Sequence, residues 1–142
     1  MRILIADDQP KVRFALRVTL ERQPGFKAVS EAVDAEDLIS QAQAMCPDLV
    51  LLDWELPGMA AEELLCNLHR SCPQLSVIAL SGKEDAREAA LKAGVNAFVS
   101  KADPPDRLLS AIGEYWNREQ DKAIRNSRRL RDGAGDLKKV QR

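Results

Sequence analysis

The chain has 142 residues and a mass of 15.8 kDa, enough for one compact domain that buries roughly two-thirds of its unfolded surface without disulfides or a structural metal. Hydrophobic residues make up 45% and charged residues 30%. The 21 Lys+Arg nearly cancel the 22 Asp+Glu, and the net charge of −1 excludes a nucleic-acid-coating protein and a wholly disordered acidic chain.

Short apolar runs alternate with helical patterns from the N-terminus onward. Arg2 to Ala6 predicts a strand ending at the acidic pair Asp7-Asp8. After Pro10, residues Val12, Ala15, Leu16, Thr19 and Leu20 recur at helical spacing, with Pro24-Gly25 past the end. Phe26 to Ser30 predicts a second strand. Asp34 then has the features of an N-cap, opening a helix with Leu38, Ile39, Ala42 and Met45 on its apolar face, stopped by Cys46-Pro47.

Asp48 to Leu52 is mostly aliphatic, the pattern of a strand buried on both faces, and Asp53 terminates it. A loop through Pro57-Gly58 leads to a helix with Leu64, Leu65 and Leu68 inward, broken at Cys72-Pro73. Leu75 to Leu80 predicts a fourth strand ending at Ser81-Gly82, and Lys83 to Ala93 a helix closed by Gly94. Asn96 to Ser100 predicts a fifth strand, ended by Lys101. A last helix starts at Pro104 or Pro105 and runs through Leu108, Leu109, Ile112 and Trp116.

Strict strand–helix alternation predicts an α/β fold, a parallel sheet with helices on both faces. Ligands of such sheets bind beyond the C-terminal strand ends, where the strand order reverses. Asp7, Asp8, Asp53, Ser81 and Lys101 all fall at that edge. Three gathered carboxylates repel one another, and one lysine is too little charge to offset them. The deficit predicts a divalent ion with hard oxygen ligands, Mg²⁺ above others. Mg²⁺, an ammonium and a hydroxyl together suit phosphoryl oxygens, and a central Asp can become an aspartyl phosphate. No Gly-rich phosphate loop is present, so the phosphoryl group need not arrive on a nucleotide.

The remaining titratable residues predict little chemistry. Cys46, Cys66 and Cys72 are odd in number and form no CxxC, which predicts reduced thiols in a cytoplasmic chain. The N-terminal apolar stretch is too short for a signal-peptide core, and no run is long enough for a membrane span. His69, without ligand-spaced partners, predicts a polar helix-surface residue rather than a zinc ligand or a catalytic base. Asp34 and Asp48 read as structural caps.

With these residues in view, the chain resembles the receiver domain of bacterial two-component response regulators over about residues 2 to 117. The resemblance rests on Asp7-Asp8, on Pro47 to Asp53 followed by Leu56-Pro57-Gly58-Met59, on Ser81-Gly82, on Ala93 to Lys101, and on Pro105. It implies a flavodoxin-like doubly wound sheet of order 2-1-3-4-5. It implies Asp53 as phosphoacceptor from a phosphohistidine on a sensor histidine kinase or phosphotransfer protein. Mg²⁺ would be held by Asp8, Asp53 and the main-chain carbonyl of Glu55, with Asp7 acting through water. Lys101 would pair with the phosphoryl group, Ser81 would move to bond it, and Phe98 would swing into the vacated space.

Leu56 stands where the family usually has Met, and Ala61 where a Gly is expected, which alters the loop after Asp53 or means that its backbone needs no positive φ. Glu55 and Lys83 are predicted to face each other across the site mouth and to modulate phosphoryl lifetime. A domain over 1–118 is predicted, followed by a basic linker or tail over 119–142 that continues the last helix and becomes partly flexible. This tail holds eight basic and four acidic residues, net +4, leaving 13 basic and 18 acidic residues, net −5, over 1–118. Helical phase continues through Trp116, Ala123, Ser127 and Leu130 on a thin apolar stripe, and Asp132-Gly133-Ala134-Gly135 predicts the helix end.

Implied partners are a kinase or phosphotransfer protein, a second copy of the chain, and an output domain or downstream protein. DNA would be reached through an output domain not in this sequence, with the basic tail as the weaker route. A stand-alone or phosphorylation-independent receiver is the alternative reading. A haloacid-dehalogenase-type phosphohydrolase fits less well, because Asp53-Trp54-Glu55 is a poor DxD. A flavin carrier is excluded by the acidic turn after the first strand.

Overall fold

The computed structural model describes the backbone of residues 1–140 and the side chains of these residues other than Val29, Glu119 and 131–140. Five strands, β1 (Arg2–Ala6), β2 (Lys27–Ala32), β3 (Leu49–Asp53), β4 (Ser76–Ser81) and β5 (Ala97–Ser100), alternate with α1 (Pro10–Glu21), α2 (Ala35–Met45), α3 (Ala61–Ser71), α4 (Ala86–Ala93) and α5 (Pro105–Val140). All pairings are parallel, in the order β2-β1-β3-β4-β5. This is the fold class and strand order expected from the sequence. The chain forms two units, Met1–Leu109 with the sheet, and the helical remainder from Ser110.

The aliphatic strands are continuous because both faces of the sheet are covered. Leu4, Ala6, Val50, Leu52, Val77 and Ala79 pack with Leu38 and Ala42 of α2, Leu64, Leu65 and Leu68 of α3, and Ala90 of α4. Their alternates Ile3, Ile5, Leu49, Leu51 and Ile78 point to the opposite face and are also fully buried. A one-residue slip would exchange the two sets and move every strand-end polar group, so packing fixes the register. That register pairs Ala6 with Leu52, Asp53 with Leu80, and Ser81 with Ser100.

Local chemistry sets the element ends. Asp34 caps α2 by accepting the Asp37 N–H at 2.8 Å, and Asp37 accepts the Val33 N–H at 3.1 Å. Asp48 accepts the Arg2 N–H at 2.7 Å. His69, half-buried on α3, places its Nε2 3.1 Å from the Leu75 carbonyl. Gly58 has φ +108°, and a Cβ there would lie 3.3 Å from the Ala35 Cβ, so the loop after β3 needs glycine twice over. Ala61 is the first residue of α3 and needs no positive φ, which explains why the expected glycine is dispensable.

Three expectations need correction. Residues 83–85 are not helical, because the Ser81 hydroxyl takes the Lys83 N–H at 3.0 Å and holds a turn before α4. The last helix continues through Asp132–Gly135 to Val140. Gly133 and Gly135 each weaken a helix by about 1 kcal/mol relative to Ala, which does not forbid it. Finally, Cys46 and Cys72 are joined in a disulfide with their Cα atoms 5.7 Å apart, while Cys66 is a free, exposed cysteine. Counting cysteines could not reveal that two of them are the C-caps of the neighbouring helices α2 and α3.

The bond closes a loop with a sequence separation of 26, for which chain-entropy arithmetic gives about 3.5 kcal/mol of stabilisation. Reduction of the intact protein is therefore expected to lower its thermal midpoint by on the order of 10 °C. Scanning calorimetry with and without dithiothreitol measures this, and Cys46→Ser should be indifferent to the reductant. An unchanged wild-type midpoint would show that the bond does not support the fold.

Candidate functional site

The C-terminal strand edge gathers the polar residues that the sheet core excludes. Asp7 follows β1, Asp53 ends β3, Ser81 ends β4 and Lys101 follows β5. Asp7 and Asp53 are buried, Asp8 is exposed, and one carboxylate oxygen from each of the three lies within 4.8 Å of the others. The Lys101 ammonium bridges the two buried acids, 2.9 Å from Asp7 Oδ2 and 3.2 Å from Asp53 Oδ1. Backbone groups hold the acids: the Gln9 N–H donates to Asp7 Oδ1 at 2.9 Å, and the Glu55 N–H to Asp53 Oδ1 at 3.0 Å.

Burial pushes the Asp53 carboxyl above its ordinary value of 3.8, and the Asp7 charge adds to this. The Glu55 N–H and Lys101 oppose the shift without cancelling it. Burial pulls Lys101 down, but the hydrogen bond to Asp7 and the charges of Asp53 and Asp7 outweigh it and hold the ammonium above 10.5. The site is therefore short of positive charge despite its lysine. Asp7 Oδ2 is sealed from solvent with no hydrogen bond beyond its ion contact. The residues fit a divalent cation: hard oxygen donors, an excess of negative charge, and a buried oxygen with spare capacity.

Ser81 is fully buried, and its hydroxyl donates to Glu55 Oε1 at 2.6 Å. Among the described residues Glu55 and Lys83 form no ion pair; the Glu55 carboxylate accepts the Ser81 hydroxyl, and Ser81 accepts the Lys83 N–H. Phe98 lies 7% exposed on β5 with the Arg87 guanidinium 4.9 Å from its ring centre. The structure thus brings Asp7, Asp8, Asp53 and Lys101 together, sets Glu55 and Ser81 beside them, and puts Phe98 in the core.

Two contacts were invisible in the sequence. Arg13 Nη1 donates to the Asp7 carbonyl at 2.7 Å, and Arg87 covers Phe98. A basic residue one helical turn inside α1, able to reach back to the strand end, is the only sequence signal for the first.

The raised Asp53 value has a sign that can be tested. The folded protein binds this proton more tightly than the unfolded chain, so the stability it contributes is present below about pH 3.8 and is lost as pH rises through the higher folded value. Asp53→Asn, which never ionises, is expected to melt above wild type near pH 7 without divalent cations. The difference should close below about pH 4. Calorimetry at both pH values measures it, and a less stable variant at pH 7 would mean that the Lys101 attraction exceeds the burial cost.

Known proteins are similar to this chain. The family model for the response regulator receiver domain matches residues 3–113. The transcriptional activator protein ExaE of Pseudomonas putida is 35% identical over 114 residues, covering 79% of this chain and 53% of that protein. The nitrate/nitrite response regulator protein NarL of Escherichia coli is 33% identical over 112 residues, 78% of this chain and 52% of that one. The chain thus spans about half the length of these curated relatives. The isolated REC domain of RcsB from Salmonella enterica serovar Typhimurium, solved with phosphomimetic BeF₃⁻, superposes with a TM-score of 0.77 at 27% identity, over 82% of this chain and 88% of that one. Sheet order, strand-end carboxylates and family match agree: the chain belongs to the response regulator receiver domain family.

Proposed function

We propose that Asp53 accepts a phosphoryl group from a phosphohistidine on a sensor histidine kinase or phosphotransfer protein, and that the resulting charge switches a protein-interaction surface. The observation that carries this reading is the buried Asp53 carboxylate, held between the Lys101 ammonium and the Asp7 charge at the edge shared with Asp8. One Asp53 carboxylate oxygen attacks phosphorus, the phosphorus–nitrogen bond breaks, and the imidazole leaves with the electron pair and takes a proton. Asp8, Asp53 and the Glu55 main-chain carbonyl would hold Mg²⁺, with Asp7 acting through water. The metal supplies neutralising charge for the phosphoryl oxygens when bound.

Lys101 stays protonated throughout the physiological range and is positioned to move from Asp53 toward a phosphoryl oxygen. Ser81 must leave Glu55 before it can bond that oxygen, so Glu55 opposes the switch. Phe98 is the aromatic partner of that movement, with Arg87 resting on it. Lys83 modulates through its N–H, which fixes Ser81, rather than through its charge.

Members of the family are signalling domains and not, in general, enzymes, so the chemistry expected is self-phosphorylation and self-dephosphorylation. We read residues 119–142 as a basic linker, whose described part continues α5 to Val140, leading to an output such as transcription. A second copy of the chain is a further partner. DNA contact is assigned to an output domain ahead of the basic segment. Among the described residues no helix is long and apolar enough to cross a membrane. We assign the protein to the cytoplasm on the family match, since the Cys46–Cys72 bond removes the support of reduced thiols.

Incubation with acetyl phosphate and Mg²⁺ is expected to add one phosphoryl group by intact mass, and Asp53→Ala should abolish the gain. No gain in wild type would favour a phosphorylation-independent receiver, and turnover of phosphate monoesters a hydrolase. Glu55→Ala is expected to accelerate the gain about tenfold, since one charge-assisted hydrogen bond to Ser81 no longer has to break. Lys83→Ala should stay near wild type in the same time course.

A further inference from the structure

We propose that Arg13 is a positioning residue for the divalent-cation site, acting through the Asp7 carbonyl and anchored by Glu31. The inference rests on the metal-dependent reading above and extends it to a residue outside the carboxylate cluster.

Asp8 carries the argument. Asp7 is held at every oxygen: Oδ1 by the Gln9 N–H, Oδ2 by Lys101 and the main-chain carbonyl by Arg13 Nη1 at 2.7 Å. The Asp8 carboxylate, exposed beside them, has no hydrogen bond or ion pair among the described residues. Its direction therefore depends on the backbone that carries it. The peptide group joining Asp7 to Asp8 contains the oxygen that Arg13 grips. Holding that oxygen restrains the peptide plane that carries the Asp8 Cα, and so narrows the directions open to the Asp8 side chain.

Arg13 is itself held. Its side chain is only 16% exposed, and its Nε lies 3.5 Å from Glu31 Oε1 on β2. It sits in the first turn of α1, its own N–H donating to the Gln9 carbonyl at 3.1 Å. Helical side chains lean toward the N-terminus, so a long residue in that turn reaches back over the strand end. The rigid fork of a guanidinium lets one side chain serve the carbonyl and Glu31 together, which a lysine cannot do. Arg17 forms the second ion pair to Glu31, 2.9 Å from Oε2, without touching Asp7. It is a natural control.

Groups that orient metal ligands from outside the coordination sphere typically change metal affinity about 10- to 100-fold when removed. Arg13→Ala in the full chain is expected to raise the half-saturating Mg²⁺ concentration on the order of tenfold in calorimetric titration. In the acetyl phosphate reaction it should raise the Mg²⁺ requirement while leaving the rate at saturating Mg²⁺ near wild type. Arg13→Lys, which keeps the charge and guards against a folding defect, should fall between the two. Arg17→Ala should titrate like wild type. Wild-type Mg²⁺ affinity in both Arg13 variants, or an equal shift in Arg17→Ala, would overturn the proposal. A wild-type chain that binds no Mg²⁺ would overturn the metal reading itself.

Discussion

Everything at the working edge of this molecule depends on one ammonium group shared by two buried carboxylates. Lys101 reaches Asp7 and Asp53 at once, yet burial still leaves Asp53 harder to ionise than a carboxyl in water. A single positive charge among three acids makes a site that is incomplete by construction. Such a site responds strongly to any species that changes the local charge, whether a divalent cation or a phosphoryl group. Its sensitivity comes from the deficit, and a second lysine there would remove it.

The sheet makes that deficit tolerable. Fully buried aliphatic residues on both faces fix the register, so Ala6, Asp53, Ser81 and Ser100 reach one edge without freedom to slide. Backbone N–H groups of Gln9 and Glu55 then meet the carboxylates as they leave the strands. The Gly58 loop closes against Ala35, drawing the segment after Asp53 over the start of α2. The hydrophobic core thus holds the mutually repelling groups in place.

Strand identity and the main site residues were legible because both have a local signature. Aliphatic runs such as Leu49–Leu52 announce burial, and a polar residue that ends each run is placed by topology alone. The Asp34 cap was equally local. What escaped depends on three-dimensional adjacency. Cys46 and Cys72 look unrelated in sequence, yet each ends a helix and the two helices are neighbours. The hydrogen bond from the Ser81 hydroxyl to Glu55 has no local signature either, since 26 residues separate them. Arg13 was one of many helix-surface cations until the fold showed which carbonyl it reaches.

In the switch proposed above, the contact between Ser81 and Glu55 is where two states of the domain would divide. Ser81 is fully buried, and its oxygen is used twice, as donor to Glu55 and as acceptor from the Lys83 N–H. It cannot turn toward Asp53 without breaking the first bond and disturbing the turn that leads to α4. Phe98 and Arg87 lie on the neighbouring strand and on α4 itself. The short turn from Ser81 to α4 lies between that hydroxyl and Arg87, whose guanidinium covers the buried Phe98 ring. Coupling through that turn needs no long pathway. Two packings of one loop, unequally favoured by charge at Asp53, are enough to shift the population.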